Sequence, residues 1–207
     1  NGMKDIAKDR KTRSFGRKEV LFYEGDDLRH IFFLQSGKVR TYKMNNDGKE
    51  LVTGLYGPGD FLGHMAVLEG GRCADNAEAL EPSEVSVIPK EDLLALLYKD
   101  RDVSIRFIKM LTREVKEKEV QLLDLAYASV RQRVAQALLR LRDRYGEAQG
   151  NELGLRISRE DLATIVGTAT ESLIRTLSDL RDEGLIELQG RDIHLRDMKK
   201  LELLARN

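Results

Sequence analysis

The stretch Ile157–Arg175, ISREDLATIVGTATESLIR, sets two helical patterns end to end with a glycine between them. Ser158 stands where a side-chain oxygen caps a first turn. Asp161 follows three residues on, in a capping-box-like place with the shorter carboxylate in the role of Glu. These residues predict a helix over Arg159–Val166, ended by Gly167. A second helix follows over Thr170–Glu183, with Thr168 or Thr170 as its cap and Gly184 as its stop. Two short helices joined by a turn of three or four residues containing Gly make the helix-turn-helix pattern. Beyond it, Leu185–Leu188 and Ile193–Leu195 alternate about Gln189-Gly190 like a small hairpin, the wing of a winged helix.

Upstream, Val130–Tyr145 reads as a further helix after Ser129, with Gly146–Asn151 as a polar break. Before that, Lys90-Glu91-Asp92 opens a stretch to about Ala126 that contains no Pro or Gly and has apolar residues at helical spacing, so one long helix is expected. Ile108, Leu111, Val115, Leu122 and Leu125 fall on steps of three and four, with Lys118 interrupting the row. Such a row suits the seam of a two-stranded dimer. Packing only against its own β domain is the plainer alternative. The charged flanks Arg113-Glu114 and Lys116-Glu117 and the length of the row favour the dimer.

From Lys18 to Pro89 the grammar is different. Short apolar runs with β-branched and aromatic residues are punctuated by Glu24-Gly25-Asp26, Ser36-Gly37, Asn45–Gly48 and Gly57-Pro58-Gly59-Asp60. Many short strands at such spacing predict a sandwich or barrel. Val39–Met44 and Leu51–Tyr56 flank the clearest hairpin, because Asn45–Gly48 tolerate positive φ.

Composition bounds the function. The 207 residues carry 35 Lys and Arg against 35 Asp and Glu. A nucleic-acid site must therefore be a local patch, since phosphate neutralisation needs local excess cations. Cys73 is the single cysteine, which excludes an internal disulfide framework and a Cys-rich zinc or iron–sulfur site and makes the reducing cytoplasm the natural location. Neither a run of about 18 apolar residues nor an apolar signal core is present, so no membrane partner is expected. His30, His64 and His194 lie far apart, and no Ser-His-Asp, metal-ligand or phosphate-loop spacing occurs, so the chain is not expected to be an enzyme.

The order of β-roll, long helix and winged helix-turn-helix resembles the Crp/Fnr family of dimeric bacterial transcription regulators over nearly the whole chain. Leu34–Val39, Gly57–Gly63 and Ile157–Arg175 carry the resemblance, in the family's order and spacing. It implies an α+β chain: a double-stranded β-helix (jelly roll) of the cyclic-nucleotide-binding kind over 1–98, a dimerisation helix over 99–128, and a winged helix-turn-helix over 129–207. It further implies a homodimer, double-stranded DNA with an inverted repeat as partner, and RNA polymerase as a second partner. The alternative is a ligand-binding regulatory module acting on a protein partner. Some members carry a receiver domain ahead of the β-roll. Lys4–Arg17 is shorter than the family's usual helical lead, so an upstream part is expected.

Family members that bind cyclic AMP place Gly-Glu after a Phe-hydrophobic pair, with the Glu on the ribose hydroxyl. Here Gly63-His64 stands there. Counting back from Ala77-Glu78-Ala79, the Arg that would hold the cyclic phosphate falls on Cys73, with Arg72 beside it and Asp75 adding negative charge nearby. The family's base-reaching Thr-Ser pair falls on Lys118-Glu119. Cyclic AMP in its usual pose is thus not expected, and an iron–sulfur cluster lacks its cysteines. His64 or His30 would have to ligate a haem, a role less common for a lone His than a structural one. A redox role for Cys73 needs a lowered pKa, which Arg72 would encourage and Asp75 oppose. An unknown anion or metabolite near Gly63, His64, Arg72, Cys73 and Lys118, or an empty structural roll, remains as the effector reading.

In a helix-turn-helix the second helix lies in the major groove. Its candidate base-reading residues are Thr170, Glu171, Ser172, Ile174 and Arg175, with Ser158, Arg159 and Thr168 as phosphate contacts. Arg131, Arg133, Arg140, Arg142 and Arg144 would form a basic flank. Residues 171 and 175 share a face; Arg175 can donate twice to guanine while Glu171 accepts from cytosine, favouring a G·C step. This is similar to the family's Glu-x-x-x-Arg pair and its TGA-like core. Thr170 replaces the family's basic residue there, and Ile174 its small one. The plainer alternative is an exposed i,i+4 ion pair worth only about 0.3–0.5 kcal/mol.

Overall fold

The computed structural model describes residues 10–146 and 157–206. The chain divides into two compact units, Asn1–Lys118 and Glu119–Asn207. Most of the expected polar break after Gly146 lies outside the described residues.

In the first unit the strands are β1 (Thr12–Phe15), β2 (Val20–Phe22), β3 (His30–Ser36), β4 (Val39–Met44), β5 (Glu50–Tyr56), β6 (Phe61–Leu62), β7 (Asn76–Ala79) and β8 (Ser83–Pro89). They form two antiparallel four-stranded sheets of order β1-β8-β3-β6 and β2-β7-β4-β5. The turn spacing predicts such a sandwich, and its jelly-roll arrangement is the one that the resemblance implies. The β4–β5 hairpin closes at Asn45, whose Oδ1 accepts the N–H of Asp47 at 3.1 Å and of Lys49 at 2.8 Å. At Gly37, between β3 and β4, φ is +86° and an added Cβ would lie 2.5 Å from the Pro82 carbonyl oxygen, so a side chain is excluded there.

Strand β3 is buried on both faces. Its period of two sends Phe32 and Leu34 into the cluster between the sheets, with Phe22, Val39, Leu62 and Val85. Ile31 and Phe33 point the other way and pack with Phe61, Ile88, Leu93 and Phe107. The last two of these belong to helices that cover this face of the roll: α2 (Lys90–Lys99) and α3 (Arg101–Tyr127), after a short α1 (His64–Glu69).

The single long helix expected from Lys90 is therefore two. The chain turns at Asp100 (φ −122°, ψ 104°), whose carboxylate accepts the N–H of Asp102 at 2.9 Å and of Val103 at 3.1 Å. Asp100 is an N-cap, and this side chain opens a new helix without Pro or Gly. Helix α1, only 6 residues long, has no periodicity to announce it.

In the second unit α4 (Val130–Tyr145) begins with a full capping box. Ser129 Oγ accepts the Gln132 N–H at 3.2 Å, and Gln132 Oε1 accepts the Ser129 N–H at 2.7 Å. Helices α5 (Arg159–Val166) and α6 (Thr170–Asp182) follow, then strands β9 (Ile186–Gln189) and β10 (Asp192–Leu195), then α7 (Met198–Arg206). Leu138, Leu141, Leu162, Leu173, Leu177, Leu180, Ile193 and Leu201 bring these elements onto one core. Helix α7 lies along α4, where Gln136 Nε2 donates to the Ala205 carbonyl at 3.0 Å.

Two local expectations are corrected. The N-cap of α6 is Ala169, which has no acceptor side chain, so neither Thr168 nor Thr170 caps it. The β9–β10 register pairs Gln189 with Asp192, which puts the turn at Gly190-Arg191, one residue later than expected.

Candidate nucleic-acid interface

Helix α5 starts at Ser158, whose Oγ accepts the Asp161 N–H at 3.0 Å and donates to the Asp161 carboxylate at 2.7 Å. It stops at Gly167 (φ 70°, ψ 47°), and Thr168 N–H returns to the Ala163 carbonyl at 3.0 Å. This left-handed residue redirects the chain into α6. Arg133 on α4 holds the turn from behind: its Nη2 donates to the Gly167 carbonyl at 3.3 Å and its Nη1 to the Leu125 carbonyl at 3.4 Å. Sequence reasoning missed this positioning role, because nothing in the residue pattern marks which carbonyls an arginine will reach.

On α6, Leu173, Leu177 and Leu180 are buried while Glu171, Ile174 and Arg175 are exposed; Thr170 and Ser172 are half-buried at the margin. Among the described residues, neither the Glu171 nor the Arg175 side chain has a hydrogen bond or ion pair, so the i,i+4 pair weighed above does not form. Both groups keep their full complement of donors and acceptors for something outside the chain.

Two of the three expected phosphate contacts already have side-chain hydrogen bonds within the chain. The Ser158 hydroxyl is engaged in its cap. Arg159 donates from Nη2 to the Gly190 carbonyl at 3.0 Å, bracing the wing turn, and its pKa is lowered by burial. Thr168 sits half-buried in the turn. The basic flank is largely neutralised by its own neighbours: Arg131 pairs with Glu183, Arg140 with Asp124 at 3.8 Å, and Arg142 Nε donates to Asp143 at 2.8 Å. The Arg131 hydrogen bond holds the Glu183 carboxyl below its ordinary pKa. Those carboxylates are distant in sequence or on the adjacent residue, which is why an arginine count overstated the free charge.

In the β-roll unit, Gly63 (φ +75°) precedes His64, and a Cβ at Gly63 would lie 2.8 Å from Leu28 Cδ1. His64 is 3% exposed. Its Nε2 lies 3.0 Å from Glu114 Oε2 on α3, its ring meets Phe107 edge-on at 6.0 Å, and its buried Nδ1 has no partner among the described residues. One turn further along α3, the Lys118 ammonium donates to the Thr53 carbonyl on β5; desolvation there pushes its pKa down. Glu114 was missed in the sequence, although its place four residues before Lys118 puts both on one helix face.

The remaining two residues of the expected effector pocket do not join these contacts. Arg72 is exposed and reaches the Gly25 carbonyl at 3.5 Å. Cys73 is buried, and burial, with Asp26 and Asp75 adding to it, pushes its thiol up to about 11. A reactive thiolate at neutral pH is thereby disfavoured, against the redox reading. Among the described residues no group of three or more His, Cys, Asp or Glu is placed to hold a metal ion, and no helix is long and apolar enough to cross a membrane.

The chain thus joins a jelly roll to a winged helix-turn-helix. Residues 12–100 match the cyclic nucleotide-binding domain, and residues 132–204 match the Crp-like helix-turn-helix domain. The cyclic AMP receptor protein of Thermus thermophilus is 32% identical over 193 residues, 93% of this chain and 87% of that protein. The transcriptional activator protein FnrA of Stutzerimonas stutzeri is 27% identical over 208 residues, 99% of this chain and 84% of that protein. The structure of FixK2 from Bradyrhizobium japonicum superposes with a TM-score of 0.84 at 27% identity, covering 94% of this chain and 96% of that one. The chain belongs to the Crp/Fnr family, and it is a DNA-binding transcription regulator of that type. The family is one of regulators rather than enzymes, and the alternative of a module acting only on a protein partner is not favoured.

Proposed function

We propose that the chain works in the bacterial cytoplasm as a homodimer that reads an inverted repeat in double-stranded DNA through Glu171 and Arg175. The observation that carries this reading is that these two side chains are exposed one turn apart on α6, opposite Leu173, Leu177 and Leu180, with no partners among the described residues. Thr170, Ser172 and Ile174 border them. Two copies of such a helix about 34 Å apart would meet successive major-groove faces of one duplex. The exposure of Ile108, Val115 and Leu122 on α3, at 60%, 67% and 68%, supports a seam between two copies.

The division of labour is β-roll sensor over 1–98, dimerisation helix over 99–128 and DNA reading over 129–207, with Ser158, Arg159 and Thr168 lying nearest the phosphates. RNA polymerase is the partner such a bound dimer would meet. Any signal at Gly63, His64, Arg72, Cys73 and Lys118 is not cyclic AMP in its usual pose, since His64 and Lys118 already engage Glu114 and the Thr53 carbonyl.

Selection of bound sequences from a random DNA pool tests this reading. An inverted repeat with a G·C pair at matched positions is expected, and Arg175→Ala should relax preference at that pair at a cost of about 1–3 kcal/mol. Equal weakening on all sequences would mark Arg175 as a phosphate contact instead.

A further inference from the structure

Ile174 is the exception on the reading helix. Of the four aliphatic residues of α6, Leu173, Leu177 and Leu180 are 0%, 1% and 0% exposed, whereas Ile174 is 48% exposed. It stands three residues after Glu171 and directly before Arg175, both exposed and without partners among the described residues. A scattered exposed aliphatic residue is ordinary on a protein surface. This one lies in the second turn of the helix that a helix-turn-helix protein lays against base edges.

The major groove presents mostly donors and acceptors, and an isoleucine can satisfy none of them. Set against guanine or the amino group of cytosine, it would strip water from a polar edge and return nothing. The apolar exception in the groove is the C5 methyl of thymine. The branched side chain is stiff at χ1 in a helix, so it loses little freedom on docking.

We propose that Ile174 is a specificity-determining residue that reads the C5 methyl of a thymine adjoining the G·C pair recognised by Glu171 and Arg175. The proposal rests on the reading of α6 as the base-reading helix, and it assigns a residue and an apolar contact to a base beside the G·C step that Glu171 and Arg175 address.

The test uses the full chain and its own selected operator. Each thymine of one half-site is replaced in turn by uracil, which pairs identically and lacks only the methyl group, and binding is followed by fluorescence anisotropy. One replacement beside the G·C pair is expected to weaken binding by about fourfold, the worth of one buried methyl. Ile174→Ala, at an exposed position that leaves the core intact, is expected to bind the thymine and uracil operators alike. Uracil without effect at every thymine overturns the proposal, as does the same uracil effect in Ile174→Ala. A pool that yields no inverted repeat overturns the Glu171–Arg175 reading as well, so the two failures are told apart.

Discussion

His64 Nε2 on α1 lies 3.0 Å from Glu114 Oε2 on α3, so a helix carboxylate already faces this buried imidazole. With Lys118 on the Thr53 carbonyl, α3 is tied to the roll at two places by the chain's own side chains.

Cyclic AMP at millimolar concentration is accordingly expected to leave the melting temperature of the protein unchanged. A ligand at a hundred times its Kd would stabilise the fold by about 2.7 kcal/mol, a shift of several degrees that differential scanning fluorimetry resolves. Glu114→Ala should cost about 1–3 kcal/mol in urea unfolding, because it leaves a buried ring nitrogen without its partner.

Cys73 gives a pH dependence of definite sign. Its thiol is raised from 9.0 to about 11 in the folded chain, so the unfolded chain loses this proton first. The stabilisation is full below pH 9 and is lost as pH climbs towards 11. Melting temperatures measured from pH 8 to 11 should therefore fall more steeply for the native chain than for Cys73→Ala, and parallel curves would refute it. Alkylation of the folded protein at pH 8 should be slow by mass spectrometry and become fast only in denaturant.

Arg133→Ala removes the donor shared by the Gly167 and Leu125 carbonyls. A loss of about 1–3 kcal/mol is expected, and Arg133→Lys should recover little of it, since one ammonium cannot reproduce a planar fork that spans two acceptors. Equal stability of the Lys variant and the native chain would show that charge alone suffices.

The seam is checked by Val115→Glu and Leu122→Glu. Both residues are exposed in the single chain, so the substitutions should leave the monomer folded by circular dichroism. Each is expected to weaken self-association by at least about 1.5 kcal/mol and to abolish the preference for an inverted repeat over a single half-site. Sedimentation equilibrium reads the first effect and anisotropy the second; unchanged association would place the dimer contact elsewhere.

Where local chemistry dominates, the residues alone disclosed the structure. The Asn45–Gly48 turn with its flanking alternation became β4 and β5, and the Ser158 cap with its Gly167 stop bounded α5 at the expected residues. Asp100 was passed over because a mid-stretch Asp is also an ordinary helix-surface residue, and only its carboxylate geometry shows it capping. The start of α6 at Thr170 was legible but its cap was misassigned, because two threonines are better caps than an alanine, yet backbone geometry put Ala169 there. The partners of the arginines and of His64 depended on tertiary placement: Arg131 meets Glu183 and His64 meets Glu114, 52 and 50 residues away. Of the candidate site, the exposed pair Glu171 and Arg175 was legible through helix periodicity, whereas the wing brace at Arg159 was not.

Strand β3 gives residue parity a meaning for laboratory variants. Odd-numbered Ile31 and Phe33 lie under the helices, and even-numbered Phe32 and Leu34 fill the interior between the sheets. Trimming an odd side chain would loosen the seat of Leu93 and Phe107 and spare the roll's centre, while trimming its even neighbour would do the reverse. One strand thus offers two independent handles, a single residue apart, for perturbing either the helical lid or the barrel beneath it.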